Sequence, residues 1–147
     1  MGKKHVFYIR KKLIIFLFLL LTKPSFGHDP NQNLPANKIF EKFNLPTVSE
    51  SKPIGFYAKG CLSGGVQLSD TGPNWQIMRP SRNRNWGHPS VISYIKDLSK
   101  SATQIGWKGL YIGDIAAPRG GPMPYGHQSH QTGLDVDIWL TPPKSLT

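Results

Sequence analysis

From Ser90 to Ile105 the apolar residues Val91, Ile92, Ile95, Leu98, Ala102 and Ile105 recur at intervals of three and four, the spacing of one helical face. Pro89 suits the first turn of such a helix and Gly106 its end, with Lys96, Asp97, Lys100 and Gln104 on the wet side. The flanking segments follow a different pattern. IGFYAK, then CLSGGVQLS with a turn at Gly64 and Gly65, then NWQIMRP precede the helix and read as short strands. GWKGLYIGDIAAP follows it, with a strand centred on Leu110 to Ile115. One amphipathic helix among short strands predicts an α+β domain, an antiparallel sheet with the helix packed against it. His88, just ahead of the helix, is expected to cap it or order the loop.

The chemistry concentrates in the run GHQSHQTGLDVDIWL. His127 and His130 lie three apart in a stretch rich in Gly, Pro, Ser and Gln, which reads as a loop. Leu134, Val136, Ile138 and Leu140 then alternate with Asp135, Asp137, Trp139 and Thr141, the period of a strand with one apolar face. Asp137 therefore shares a face with Asp135 and Trp139. Gly133 permits the turn between loop and strand, and Pro142 and Pro143 end the strand. Imidazole nitrogen and carboxylate oxygen are donors that zinc accepts, and a catalytic zinc site takes three protein ligands and leaves a position for water. His127, His130 and Asp137 are thus the candidate metal ligands, in a surface cleft. The plainer reading is two solvated histidines followed by the wet face of a strand.

With 147 residues the chain holds at most one small or medium domain. Its first 27 residues read as an export signal: a basic leader MGKKHVFYIRKK, the apolar run LIIFLFLLL, and TKPSFG with small residues at the cleavage point. The apolar run is too short for a stable span, so no membrane anchor is expected after cleavage. Six of the 18 Lys and Arg lie in this leader, which has no acid, so twelve bases and eight acids follow it, a net charge of +4 against +10 for the whole chain. No basic stripe with regular aromatics remains, which argues against nucleic acid; a modest positive charge suits an anionic wall polymer. Residues 28–52, poor in apolar residues and punctuated by Pro30, Pro35 and Pro46, read as a flexible arm, and residues 53–147 as the domain. An amino-terminal His28 is a second, weaker place for a metal. Arg79, Arg82 and Arg84 crowd one loop with Asn83 and Asn85, which suits either a carboxylate ligand or plain solvation.

SHQTGLDVDIWL has His, three residues, Gly, and an Asp seven positions after the His, and it resembles the zinc signature of the superfamily of lysostaphin-like enzymes, D-alanyl-D-alanine carboxypeptidases and the hedgehog signalling domain. Together with YAKGC, RNWGHP and GLYIGDIA, the longer run is similar to the penicillin-insensitive murein endopeptidase family, from about Ile54 to Leu140. The resemblance implies the N-terminal part of the hedgehog and D-Ala-D-Ala peptidase-like fold, with Zn²⁺ on His127, His130 and Asp137. It implies a periplasmic peptidase that cuts the D-alanyl-meso-diaminopimelyl cross-link of peptidoglycan without a serine nucleophile, hence penicillin-insensitive. It further implies a C-terminal His-x-His motif, which supplies the fourth ligand and the general base. The other histidines, His5, His28 and His88, form no such pair, so the expectation is an incomplete domain, with no catalytic base within it and negligible hydrolysis alone. Cys61, in YAKGC, resembles a cysteine that the family pairs in a disulfide with a distant C-terminal one. Two other readings stay open: a secreted metal- or peptidoglycan-binding fragment, and a D-Ala-D-Ala carboxypeptidase of the same superfamily.

Overall fold

In chain order the elements are α1 (Ala36–Phe40), β1 (Lys52–Phe56), β2 (Lys59–Ser63), β3 (Val66–Gln67), β4 (Thr71–Gly72), β5 (Trp75–Ile77), a 3₁₀ turn (Pro80–Arg82), β6 (Trp86–Gly87), α2 (Pro89–Gln104), β7 (Leu110–Ile112) and β8 (Ile138–Trp139). They come from a computed structural model that describes residues 33–147. The export signal over 1–27 and His28 lie outside the described residues.

Helix α2 starts and stops for the reasons its sequence suggests. His88 is the N-cap, its Nδ1 accepting the Ser90 N–H at 3.3 Å, and Pro89 fills the position where a missing N–H costs nothing. At the other end Gly106 turns the chain at φ 86°, and the Trp107 N–H reaches back to the Ala102 carbonyl at 3.2 Å. Ile92, Ile95, Ser99 and Ala102 form the buried face. Ser99 satisfies its hydroxyl within the helix, on the Ile95 carbonyl at 2.7 Å. Against this face pack Leu68, Trp75, Ile77, Leu110, Ile112 and Ile115 from the strands and their loops. Ile95 and Ile112 are fully buried, so truncating either to alanine costs about 2–5 kcal/mol.

The α+β class is as expected. The largest sheet has the order β4-β5-β7-β8, and two further pairs, β1-β2 and β3-β6, are antiparallel. Within the larger sheet β5 and β7 are parallel, because the connection between them runs through α2 and returns the chain in the same direction. The strand expected over 110–115 divides after Ile112. Up to that residue it pairs with β5, and from Ile115 it pairs with the other side, the Ile115 N–H donating to the Arg84 carbonyl at 2.7 Å.

The strand expected from Leu134 is regular only at Ile138–Trp139. Gly133, at φ 68°, and the residues after it bend toward the sheet, and pairing begins where the Gly113 N–H meets the Asp137 carbonyl at 2.7 Å. Leu134, placed on the apolar face by alternation, is half-exposed for this reason.

The arm is also more tied than its composition suggests. Its described part contains α1, and Arg119 both stacks on Phe43 at 3.8 Å and donates to the Leu45 carbonyl at 3.2 Å. The Thr47 hydroxyl accepts the Gly64 N–H at 2.7 Å. Aromatic and backbone contacts thus supply the hold that the arm's few aliphatic residues do not. Cys61, the only cysteine of the chain, is a half-buried free thiol on β2. Among the described residues no helix is long and apolar enough to cross a membrane.

Candidate metal centre

The loop between β7 and β8 is folded over itself at Gly120 and Gly121. A side chain at Gly120 would meet the Gln131 carbonyl, and the Gly121 N–H donates to that same carbonyl at 2.9 Å. Gln131 in turn is a buried stitch. Its Nε2 donates to the Ala58 and Gln128 carbonyls at 3.0 and 2.8 Å, and its Oε1 accepts the Gly60 N–H at 3.0 Å. The β1-β2 turn therefore anchors the residue next to His130. On the far side the Gly133 carbonyl accepts the His88 N–H at 2.9 Å, which ties the loop to the start of α2.

These anchors set His130 at φ 65° and bury it to 2 % exposure. Its backbone N–H donates to Asp135 Oδ2 at 3.2 Å, and its Nδ1 lies 2.9 Å from the same oxygen. Its Nε2 lies 3.3 Å from Asp137 Oδ1. His127 approaches from the exposed side, with Nε2 at 3.2 Å from Asp137 Oδ2 and its ring edge-to-face with His130 at 5.0 Å. One donor atom from each of His127, His130 and Asp137 thus falls within 4.8 Å of the others. All three residues expected to converge do so.

The donor set fits a metal ion on the structure's own terms. Neither ring nitrogen of the buried His130 makes an aligned hydrogen bond, although both face carboxylate oxygens. A buried polar atom without a partner is costly, and a cation held by Nε2 removes that cost. The Nε2 atoms of His127 and His130 lie 3.2 and 3.3 Å from the two oxygens of Asp137, so one carboxylate faces both imidazoles. Asp135 stands where an outer carboxylate orients a ligating imidazole. Alternation had placed Asp135 beside Asp137 but assigned it no work; the Asp-x-Asp spacing was the available signal.

Beside the donors is a small recess of about 30 Å³ lined by Arg79, Arg82, Asp114, His127, Asp137 and Trp139, with Met78 and Gly113. Asp114 in its lining belongs to an ion pair that the sequence did not reveal. Asp114 and Arg84 are both buried and meet at 2.7 Å, while Arg82 reaches the same carboxylate at 3.2 Å. Arg84 also donates to the Tyr125 carbonyl at 3.0 Å and lies over that ring at 4.5 Å, which fixes the backbone two residues before His127. Asp114 contributes its carbonyl as well, accepting the Asp137 N–H at 3.0 Å. One residue therefore positions both approaches to the donor set. Three described non-glycine residues have positive φ, Arg79, Asn83 and His130, and all belong to segments around this recess. Such conformations cost about 1–3 kcal/mol each and gather at working sites.

Fold and site together define an α+β domain that carries a His, His, Asp donor set beside a basic and aromatic recess. Residues 53–147 match the sequence profile of the penicillin-insensitive murein endopeptidases. The chain is 43% identical over 104 residues to the penicillin-insensitive murein endopeptidase of Haemophilus influenzae (strain Rd), covering 69% of this chain and 36% of that protein. It is 34% identical over 137 residues to proteins of the same name from Escherichia coli O1:K1 and Escherichia coli strain SMS-3-5, covering 93% of this chain and 47% of each of them. The chain belongs to the penicillin-insensitive murein endopeptidase family. It spans less than half the length of these relatives.

Proposed function

We propose that this chain carries the metal-binding half of a zinc-dependent peptidoglycan endopeptidase, exported to the periplasm and directed at the peptide cross-link between D-alanine and meso-diaminopimelate. The observation that carries the proposal is His130, buried, with both ring nitrogens facing carboxylates and neither one hydrogen-bonded. On this reading His127, His130 and Asp137 hold Zn²⁺, and Asp135 holds the His130 ring in its ligating orientation. A bound zinc supplies a Lewis acid for the scissile carbonyl and an acidified water as nucleophile. The family names support the substrate class, and the export signal read over 1–27 supports the compartment.

The side chains of the recess bind and orient, and they offer no spare proton acceptor. Asp114 is occupied by Arg84 and Arg82, and the remaining carboxylate and imidazole there are the donors themselves. On this reading the general base and the fourth ligand are not among these side chains, and we expect negligible hydrolysis by this chain alone. This favours a second reading, binding of metal and wall peptide without turnover. The test is to purify the exported protein, measure its zinc content and mass, and incubate it with cross-linked muropeptide dimers. Stoichiometric zinc with no cleavage supports a metal-binding half that needs further residues for turnover. Cleavage above a chelator-treated control overturns the claim of inactivity, and absence of zinc from correctly folded protein overturns the metal site.

A further inference from the structure

We infer that Arg79 and Arg82 form a carboxylate-binding subsite beside the donor set, which selects peptides with a free carboxylate next to the scissile amide. The inference rests on the peptidase reading above and adds the part of the substrate that the recess recognises. Arg82 ends the short turn Pro80–Arg82 and Arg79 immediately precedes it, and the two residues flanking the turn, Arg79 and Asn83, are left-handed. Four hydrogen bonds hold the turn, two within it and two from outside. The Arg82 and Asn83 N–H groups donate to the Arg79 and Pro80 carbonyls at 3.0 Å each, Trp86 Nε1 donates to Asn83 Oδ1 at 2.7 Å, and Asn83 Nδ2 donates to the Asn44 carbonyl at 3.2 Å. Two guanidinium groups are thereby set into the recess that His127 and Asp137 also line.

Arg79 and Arg82 line the recess with two carboxylates, Asp114, which also pairs with the adjoining Arg84, and Asp137, which on this reading is committed to the donor set. Arg84 takes the short contact with Asp114 at 2.7 Å, leaving Arg82 with longer ones at 3.2 and 3.5 Å and a side chain 27% exposed. Among the described residues Arg79 has no carboxylate partner and lies over the Trp139 ring at 5.4 Å. A guanidinium fork pairs with a carboxylate through two parallel hydrogen bonds, so the unmatched charge is also shaped for that anion. The proposed substrate provides one in the right place. When the amine of meso-diaminopimelate is acylated by D-alanine, the carbon bearing that nitrogen also bears a carboxylate, so the subsite must adjoin the metal, as this recess does.

The test uses the full chain and two probes, acetyl-D-alanyl-meso-diaminopimelate with that carboxylate free and the same peptide with it converted to a carboxamide. Binding is followed by calorimetry and by the arginine side-chain N–H resonances. The free acid should bind at least about tenfold more tightly than the amide, one good charged contact by the RT conversion. Arg79→Gln, on the exposed turn, and Arg82→Gln should each lose most of that preference, while Arg82→Lys should keep the charge and recover part of it. Equal binding of acid and amide by the wild type, or an undiminished preference in both glutamine variants, overturns the subsite and leaves the peptidoglycan reading intact. Failure to bind either peptide overturns both. The wild-type-like amide spectrum of Arg79→Gln serves as the check on folding.

Discussion

Asp135 holds His130 from two sides, one carboxylate oxygen meeting the backbone N–H at 3.2 Å and the ring Nδ1 at 2.9 Å. The ring Nε2 is turned to Asp137, 3.3 Å from Oδ1. Asp135→Asn keeps a carbonyl oxygen for the backbone N–H and removes the charge. It should weaken zinc binding by about 10–100-fold with little loss of stability, in line with other outer carboxylates on ligating imidazoles. Competition with a chromogenic chelator measures this, and unchanged affinity would mean that Asp135 plays no part in the site.

His130→Ala and Asp137→Ala should each leave the protein without stoichiometric zinc, measured by elemental analysis after dialysis. Wild-type metal content in either variant would show that the site is misassigned. The same variants should lose the stabilisation that zinc confers on the wild type, which amounts to about 2.7 kcal/mol at 100 times Kd.

The buried Arg84 and Asp114 pair is a stability element as well as a support for the site. Asp114→Asn leaves Arg84 buried without its carboxylate and should cost about 3–5 kcal/mol in urea unfolding, while Arg84→Met leaves Asp114 with Arg82 at 3.2 Å and should cost less. Replacing both together should cost less than the sum, because neither charge is then stranded. Additive losses would count against the pair as the cause.

Gly113 and Gly106 separate crowding from backbone strain. A Cβ at Gly113 would lie 2.8 Å from the Asp137 Cβ, so Gly113→Ala should displace the ligand and reduce zinc affinity, with a cost of about 1–3 kcal/mol from overpacking. At Gly106 the space is open but φ is 86°, so Gly106→Ala should cost about 1 kcal/mol and leave zinc binding alone. Equal effects on metal from the two substitutions would refute the crowding argument.

What was legible in the sequence is what depends on neighbours along the chain. The three-and-four spacing of Ile92, Ile95 and Ala102 located α2 to within a residue at each end, with His88 and Pro89 opening it. Gly and Pro marked the loop of His127 and His130, and the seven-residue step to Asp137 marked the third donor. Tertiary structure decided the rest. The strand read from Leu134 is shortened because its pairing depends on Gly113 and Asp114, which alternation cannot see. The parallel pairing of β5 with β7 follows from the path of α2 across the sheet. Asp114 meets Arg84 from 30 residues away, and Arg79 and Arg82 meet His127 in one recess only after the sheet has formed. Periodicity and capping are written within a few residues of the positions they govern. A buried ion pair or a shared recess joins segments whose separation in sequence carries no signal, and only packing brings them within reach.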